Sequence, residues 1–195
     1  PPRVAVCIAG HARTFGHPTV LSTLELLISP HNRSRLDAFV VLVTDAEGPK
    51  YSYSVMRPAP PPQASLLERA LHAIRPQAVR FVSRPSCWSC DNPSTGQFSR
   101  WAECVDLVRQ HERSCAAAGA GAGATPCTYD YLFKTRPDVA WVRAVDLPAV
   151  AAEARALGPR VLLGGNDVAF LMHRMYWHEL TRLRRGRLRC AARCD

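Results

Sequence analysis

A chain of 195 residues, 47% hydrophobic and 21% charged, is long enough to bury a core of its own and has the composition of an ordinary globular domain. No uninterrupted apolar run of about 18 residues occurs, so no membrane span is expected. The net charge of +9 raises the question of nucleic acid, but six arginines fall together between 182 and 193 (TRLRRGRLRCAARCD) without interleaved aromatics, a solvated face or anion-attracting edge; no nucleic-acid partner is expected.

In chain order, Pro1 and Pro2 lead at once into an apolar run, 4–9 (VAVCIA). No basic stretch or small-residue cleavage site of a signal peptide precedes it, so the expectation is a mature or excised domain whose targeting segment lies elsewhere. Rich in β-branched residues, the run reads as a buried strand. Gly10, His11, Ala12, Arg13 and Thr14 follow directly. A glycine lets the backbone approach a ligand, and an arginine beside a helix start suits a phosphate; the plain alternative is a turn with a surface arginine. Leu21, Leu24, Leu27 and Ile28 then share one helix face. Asn32-Arg33-Ser34 is an N-glycosylation sequon.

A second strand is expected over 38–44 (AFVVLVT), with Asp45 placed to accept ribose hydroxyls or simply to occupy a turn before Gly48 and Pro49. Residues 57–63 (RPAPPPQ) read as an extended proline-rich loop. Leu67, Ala70, Leu71 and Ile74 mark a second helix with Ser65 and Glu68 as a capping box, and 79–82 a third strand. Phe98, Trp101, Val105 and Val108 mark a third helix, with Ser94 and Gln97 as its capping pattern. Residues 116–126 (AAAGAGAGATP) read as a flexible connector.

The next strand, 129–135, runs into charges: Lys134, Arg136 and Asp138 alternate with Thr135, Pro137 and Val139. The three share one side if the strand continues, whereas Pro137 favours a break that sets Asp138 at the strand mouth. A carboxylate there can hold a divalent metal that a diphosphate also ligates; the alternative is an Arg–Asp surface pair. Asp146 and Pro148 suit a helix start. A last strand, 161–164, gives way to Gly164, Gly165, Asn166 and Asp167, a turn composition, and then to the apolar run 168–172.

Strand and helix alternating in this way predict a single α/β domain over 1–195 with a mostly parallel sheet, whose ligand sits at the carboxyl ends of the strands. Eight cysteines, at 7, 87, 90, 104, 115, 127, 190 and 194, together with the sequon, favour disulfides in a secretory lumen. Zinc at Cys87-x-x-Cys90 with Cys190-x3-Cys194 is the alternative, and Cys7, in mid-strand, reads as a buried free thiol or packing residue. No nucleophile elbow, HExxH or Walker loop occurs.

The segments RVAVCIAGHARTF, LDAFVVLVTD, QFSRWAECVDLVRQHE, YDYLFKTRPDVAW and GGNDVAFLMHR resemble, in order, a family of glycosyltransferase-like proteins that includes bacterial lipopolysaccharide and capsule-synthesis proteins of the WavE type and related plant and algal proteins. The resemblance covers most of the chain, from Arg3 to about Leu180. It implies a GT-A-like (Rossmann-like), three-layer nucleotide-sugar-binding fold and transfer of a sugar to a glycan acceptor. The family's first-strand GxxR falls on Gly10 and Arg13, expected near the donor's nucleotide or diphosphate; His11, Thr14 and Asp45, read from their own places at the strand ends, complete the candidate substrate-binding set. Arg136 and Asp138 match its R-x-D, with Asp138 standing where a GT-A enzyme carries the last carboxylate of its metal-binding Asp-x-Asp. Asn166 and Asp167 match its later ND, on the acceptor or catalytic side, with Asp167 the candidate general base. Arg13, Arg136 and Lys134 would stabilise the leaving diphosphate. A divalent cation, Mn or Mg, is implied at Asp138; because Arg136 replaces the first carboxylate of the pair, a metal-independent mechanism is the alternative. A non-catalytic carbohydrate- or anion-binding module on the same fold is the second reading, and the Golgi or ER lumen or the extracellular space the expected location.

Overall fold

The apolar runs form strands β1 (Val4–His11), β2 (Leu36–Val43), β3 (Ala78–Val82), β4 (Tyr131–Thr135), β5 (Leu162–Gly165) and β6 (Ala169–His173). The structure, a computed structural model, describes residues 2–12, 15–28, 36–44, 63–82, 93–118, 127–160, 162–165 and 168–182. The strands make one sheet of order β3-β2-β1-β4-β6-β5. β1 is parallel to β2 and β4, and β2 to β3, while β6 runs antiparallel to both β4 and β5. The sheet is therefore mixed but mostly parallel, as the alternation of strand and helix requires.

Strand alternation sends two sets of side chains to opposite faces. Val4, Val6 and Ile8 of β1 join Val40, Leu42, Tyr131 and Phe133 in a core closed by α1 (Pro18–Leu27), α2 (Ala64–Ile74) and α4 (Leu147–Leu157). Ala5, Cys7 and Ala9 join Phe39, Val41 and Leu132 on the other face, under α3 (Pro93–Ala118) and the helical residues 177–182. Each of the fully buried Val and Ile side chains contributes up to about 1.5–3 kcal/mol, so β1, covered on both faces, anchors both cores. Small residues on the α3 face of β1 let the helix lie close.

That closeness corrects the reading of Cys7. Its side chain points at α3, where Cys104 lies with a Cα–Cα separation of 6.1 Å, and the two form a disulfide. A second disulfide joins Cys115 to Cys127. No free cysteine remains among the described residues; Cys87, Cys90, Cys190 and Cys194, and with them the zinc alternative, lie outside these. So do Asn32 of the sequon and all of the proline-rich loop but Gln63.

Helix starts correct the sequence in part. Asp146 is the N-cap of α4 as expected, its carboxylate accepting from the backbone N–H of Ala149 at 3.0 Å, with a proline in the first turn. α2 instead begins one residue before Ser65, with Gln63 as N-cap and no side-chain cap, so Ser65 and Glu68 lie inside the helix and form no capping box. α3 likewise begins at Pro93, which puts Ser94 inside it, and its last turn takes in residues 116–118 of the expected connector. Alanine is the best helix former, which explains the extension.

At the amino edge of the sheet a polar network fixes strand register. Asp37 accepts from the Arg3 guanidinium (2.8 Å), the Gln77 amide (2.8 Å) and the Tyr129 hydroxyl (2.7 Å). Buried Glu112 on α3 accepts from the Tyr129 backbone N–H at 3.0 Å and pairs with both terminal nitrogens of Arg174. This carboxylate pair raises the proton affinity of Arg174 further, keeping it charged. Burial, reinforced by the bond to Asp37, pushes the Tyr129 hydroxyl well above the usual phenol range.

Two outcomes follow from these arrangements. Asp146→Ala should cost about 1 kcal/mol of unfolding free energy, read from the urea midpoint, because it leaves a first-turn N–H of α4 without its acceptor. The native state holds the Tyr129 proton more tightly than the unfolded chain, so that stabilisation is complete below the unfolded phenol pKa of about 10 and is lost as pH rises above it. Urea midpoints measured from about pH 8 to 11 should therefore fall more steeply in the unmutated protein than in Tyr129→Phe.

Candidate functional site

The parallel strands end at one edge. His11, the last residue of β1, is in register with Val43, the last of β2, whereas Thr135 at the end of β4 is level with Ile8. Residues 9–11 of β1 thus run past β4, and the chain leaving β4 turns over them. The strand stops there because Pro137 can donate no ladder hydrogen bond. Pro137 is buried against Gly10: a Cβ built on Gly10 would stand 2.5 Å from Pro137 Cδ and 2.8 Å from Cγ. Only a glycine permits that approach, and so the two stretches singled out in the sequence, one after β1 and one after β4, touch at this contact.

Beyond Pro137 the chain folds Asp138 back onto Arg136. Arg136 Nε donates to Asp138 Oδ1 at 2.8 Å and Nη2 to Oδ2 at 2.7 Å, a bidentate pair with side chains 32% and 28% exposed. A half-exposed pair adds at most about 1 kcal/mol of stability. Its larger consequence is geometric, because the planar fork is held in one orientation at the strand mouth, where a fixed guanidinium suits an anion.

Lys134 does not accompany them. It lies within β4, 0% exposed, with Nζ 4.0 Å from the centre of the Trp101 ring and 5.7 Å from that of Phe170, and it donates to the carbonyl of Val168 at 3.5 Å. The expected sharing of one side by Lys134, Arg136 and Asp138 gives way to the alternative, a break at the proline.

The end of β5 and the start of β6 lie at the same edge, since Gly165 and Thr135 both pair with Ala169. Gly164 packs so tightly on β6 that an added Cβ would lie 2.5 Å from the Ala169 carbonyl oxygen. α1 also starts at this edge, just after β1, and its N-cap residue, His17, makes no side-chain cap hydrogen bond among the described residues. Thr135 Oγ1 and Trp141 Nε1, near the end of β4, are buried without a hydrogen-bond partner among the described residues. Arg13, Thr14, Asp45, Asn166 and Asp167 lie outside the described residues; their chain neighbours Ala12, Phe15, Thr44, Gly165 and Val168 are at this edge.

The structure thus brings Gly10, His11, Arg136 and Asp138 together and sets Lys134 beneath the surface. Two contributors were read from sequence only as a strand breaker and a core residue, Pro137 and Trp101. The spacing of Trp101 on α3 marks it as buried, but not that a lysine ammonium lies over its ring. As for a metal, each oxygen of Asp138 already accepts a hydrogen bond from Arg136, so a cation at Asp138 would share the carboxylate with a guanidinium of like charge. Among the described residues no group of three or more His, Cys, Asp or Glu side chains converges there or elsewhere. The described residues therefore do not form a ready cation site, and no step is derived through a metal.

Gly10→Ala should lower the unfolding free energy by about 1–3 kcal/mol, through overpacking against Pro137. In a double-mutant cycle read by urea denaturation, Pro137→Ala, which removes Cδ and Cγ, should recover part of that loss.

A scan against protein-family models finds no family that matches the chain, and a search of curated proteins finds no matching relative.

Proposed function

We propose that the domain binds a nucleotide sugar at the carboxyl edge of the sheet and transfers the sugar to a glycan hydroxyl, as a GT-A-like glycosyltransferase. The observation that carries this reading is the Gly10–Pro137 contact, which joins the two stretches that the resemblance assigns to the donor. In this reading Gly10, His11, Arg13, Thr14 and Asp45 receive the nucleotide and its diphosphate. Arg136, aimed by Asp138, neutralises the charge that builds on the leaving diphosphate; removing one preorganised donor of this kind typically costs about 10²–10³ in kcat. Asn166 orients the acceptor, and Asp167 takes the proton from its hydroxyl. Arg136 supplies the charge compensation otherwise asked of Mn or Mg, so transfer proceeds without a metal.

Two disulfides support a lumenal or extracellular setting, such as the Golgi or ER, because such bonds persist in oxidising compartments. No helix among the described residues is long and apolar enough to cross a membrane. The engagement of both Asp138 oxygens also favours the second reading, a carbohydrate- or anion-binding module without catalysis.

A thermal-shift panel of nucleotide diphosphate sugars, run with EDTA and with Mn²⁺, separates the readings. The expected result is a shift with at least one donor that survives EDTA and weakens about tenfold or more in Arg136→Met, the scale of one lost charge-assisted contact. Salt-sensitive binding of acidic glycans with no response to any nucleotide sugar would replace the first reading by the second.

A further inference from the structure

A lysine at the end of β4, beside one of the stretches assigned to the donor, would ordinarily be read as a phosphate ligand, yet Lys134 is 0% exposed. Burying an ammonium is costly unless its charge is used inside the protein. Here Nζ lies 4.0 Å from the Trp101 ring centre, on α3, and donates to the carbonyl of Val168, the residue that leads into β6. Lys134 is paired in register with Phe170, so its reach to Val168 carries the side chain along β6 toward the carboxyl edge. Three elements therefore meet at one cation: β4, α3 and the entry to β6.

We infer that Lys134 is a positioning residue, whose ammonium, held against Trp101, ties Val168 to β4 and so fixes the entry to β6 at the mouth of the site, instead of meeting a ligand itself. The ladder between β4 and β6 ends at Thr135 and Ala169, so the contact to Val168 extends the hold of β4 one residue beyond it. A methionine would fill the space between Trp101 and Phe170 but offer neither a donor to Val168 nor a cation to the ring.

Hydrogen–deuterium exchange read peptide by peptide tests this on the whole chain. In Lys134→Met, amides of 163–172 should lose protection about tenfold, the loss expected for a desolvated cation–π contact, while β1 and β2 keep theirs; Lys134→Arg should restore most of it. Unchanged protection over 163–172, or equal loss across the whole sheet, would overturn the inference. Should Lys134→Met not fold, Trp101→Leu, which removes the ring and keeps apolar bulk, is expected to loosen the same peptides and is judged by the same two results. The consequence for binding rests on the nucleotide-sugar reading: donor affinity should fall in Lys134→Met and return in Lys134→Arg. If the unmutated protein binds no nucleotide sugar while the exchange pattern holds, that reading fails and the positioning role stands.

Discussion

The close approach of Pro137 to Gly10 is the contact on which the carboxyl edge depends. β1 and β4 are neighbours in the middle of the sheet, and β1 is the longer, so the chain leaving β4 must cross the end of β1. With a side chain at position 10 it could not cross at this distance. Because it can, the turn at Pro137 is seated on rigid strand, and the Arg136–Asp138 pair inherits that rigidity. A loop held only by a half-exposed ion pair would not keep a guanidinium in one orientation, since such a pair contributes about 1 kcal/mol or less.

The two edges of the sheet divide the polar work between them. At the amino edge, Asp37 and Glu112 each collect several donors, from Arg3, Gln77, Tyr129 and Arg174, in a part-buried network that ties β1, β2, α3 and the segment before β4 together. Satisfied networks of this kind specify one arrangement, because a missing member would leave a buried polar group unpaired. The carboxyl edge keeps Arg136 and Asp138 partly in solvent. One edge sets register; the other presents charge.

The strand cores were legible in the sequence because burial on both faces demands continuous apolar, β-branched runs, as in VAVCIA and AFVVLVT. Asp146 was legible as a cap because it directly precedes Leu147 and Pro148, where no competing start exists. Ser65 misled because the capping pattern says nothing of the alanine before it, and the helix had already begun at Ala64. The convergence of the stretches after β1 and β4 followed from the α/β topology, but the antiparallel insertion of β6 beside β4 did not, since strand order depends on pairings far apart in the chain. Alternation alone put Lys134, Arg136 and Asp138 on one side; the break at Pro137 separated a buried lysine from two half-exposed charges. Cysteine pairing was not legible either, and mid-strand placement made Cys7 look like packing.

Both disulfides use α3, and this links the cores to the site. Cys7–Cys104 spans 97 positions, a closure that in a chain-entropy account is worth about 4–5 kcal/mol, and it pins the middle of α3 to β1. Cys115–Cys127 pins the last part of the same helix to the segment that enters β4. A helix fixed at two points against β1 and β4 has little freedom to slide, and Trp101 lies on it one turn before Cys104. The position of the ring over Lys134, and through Lys134 that of Val168, therefore depends on bonds that an oxidising compartment maintains. Reduction of Cys7–Cys104 would release the middle of α3 from β1, so the part of the mouth built by β6 depends on redox state more than the part built by Gly10 and Pro137, which rests on packing alone.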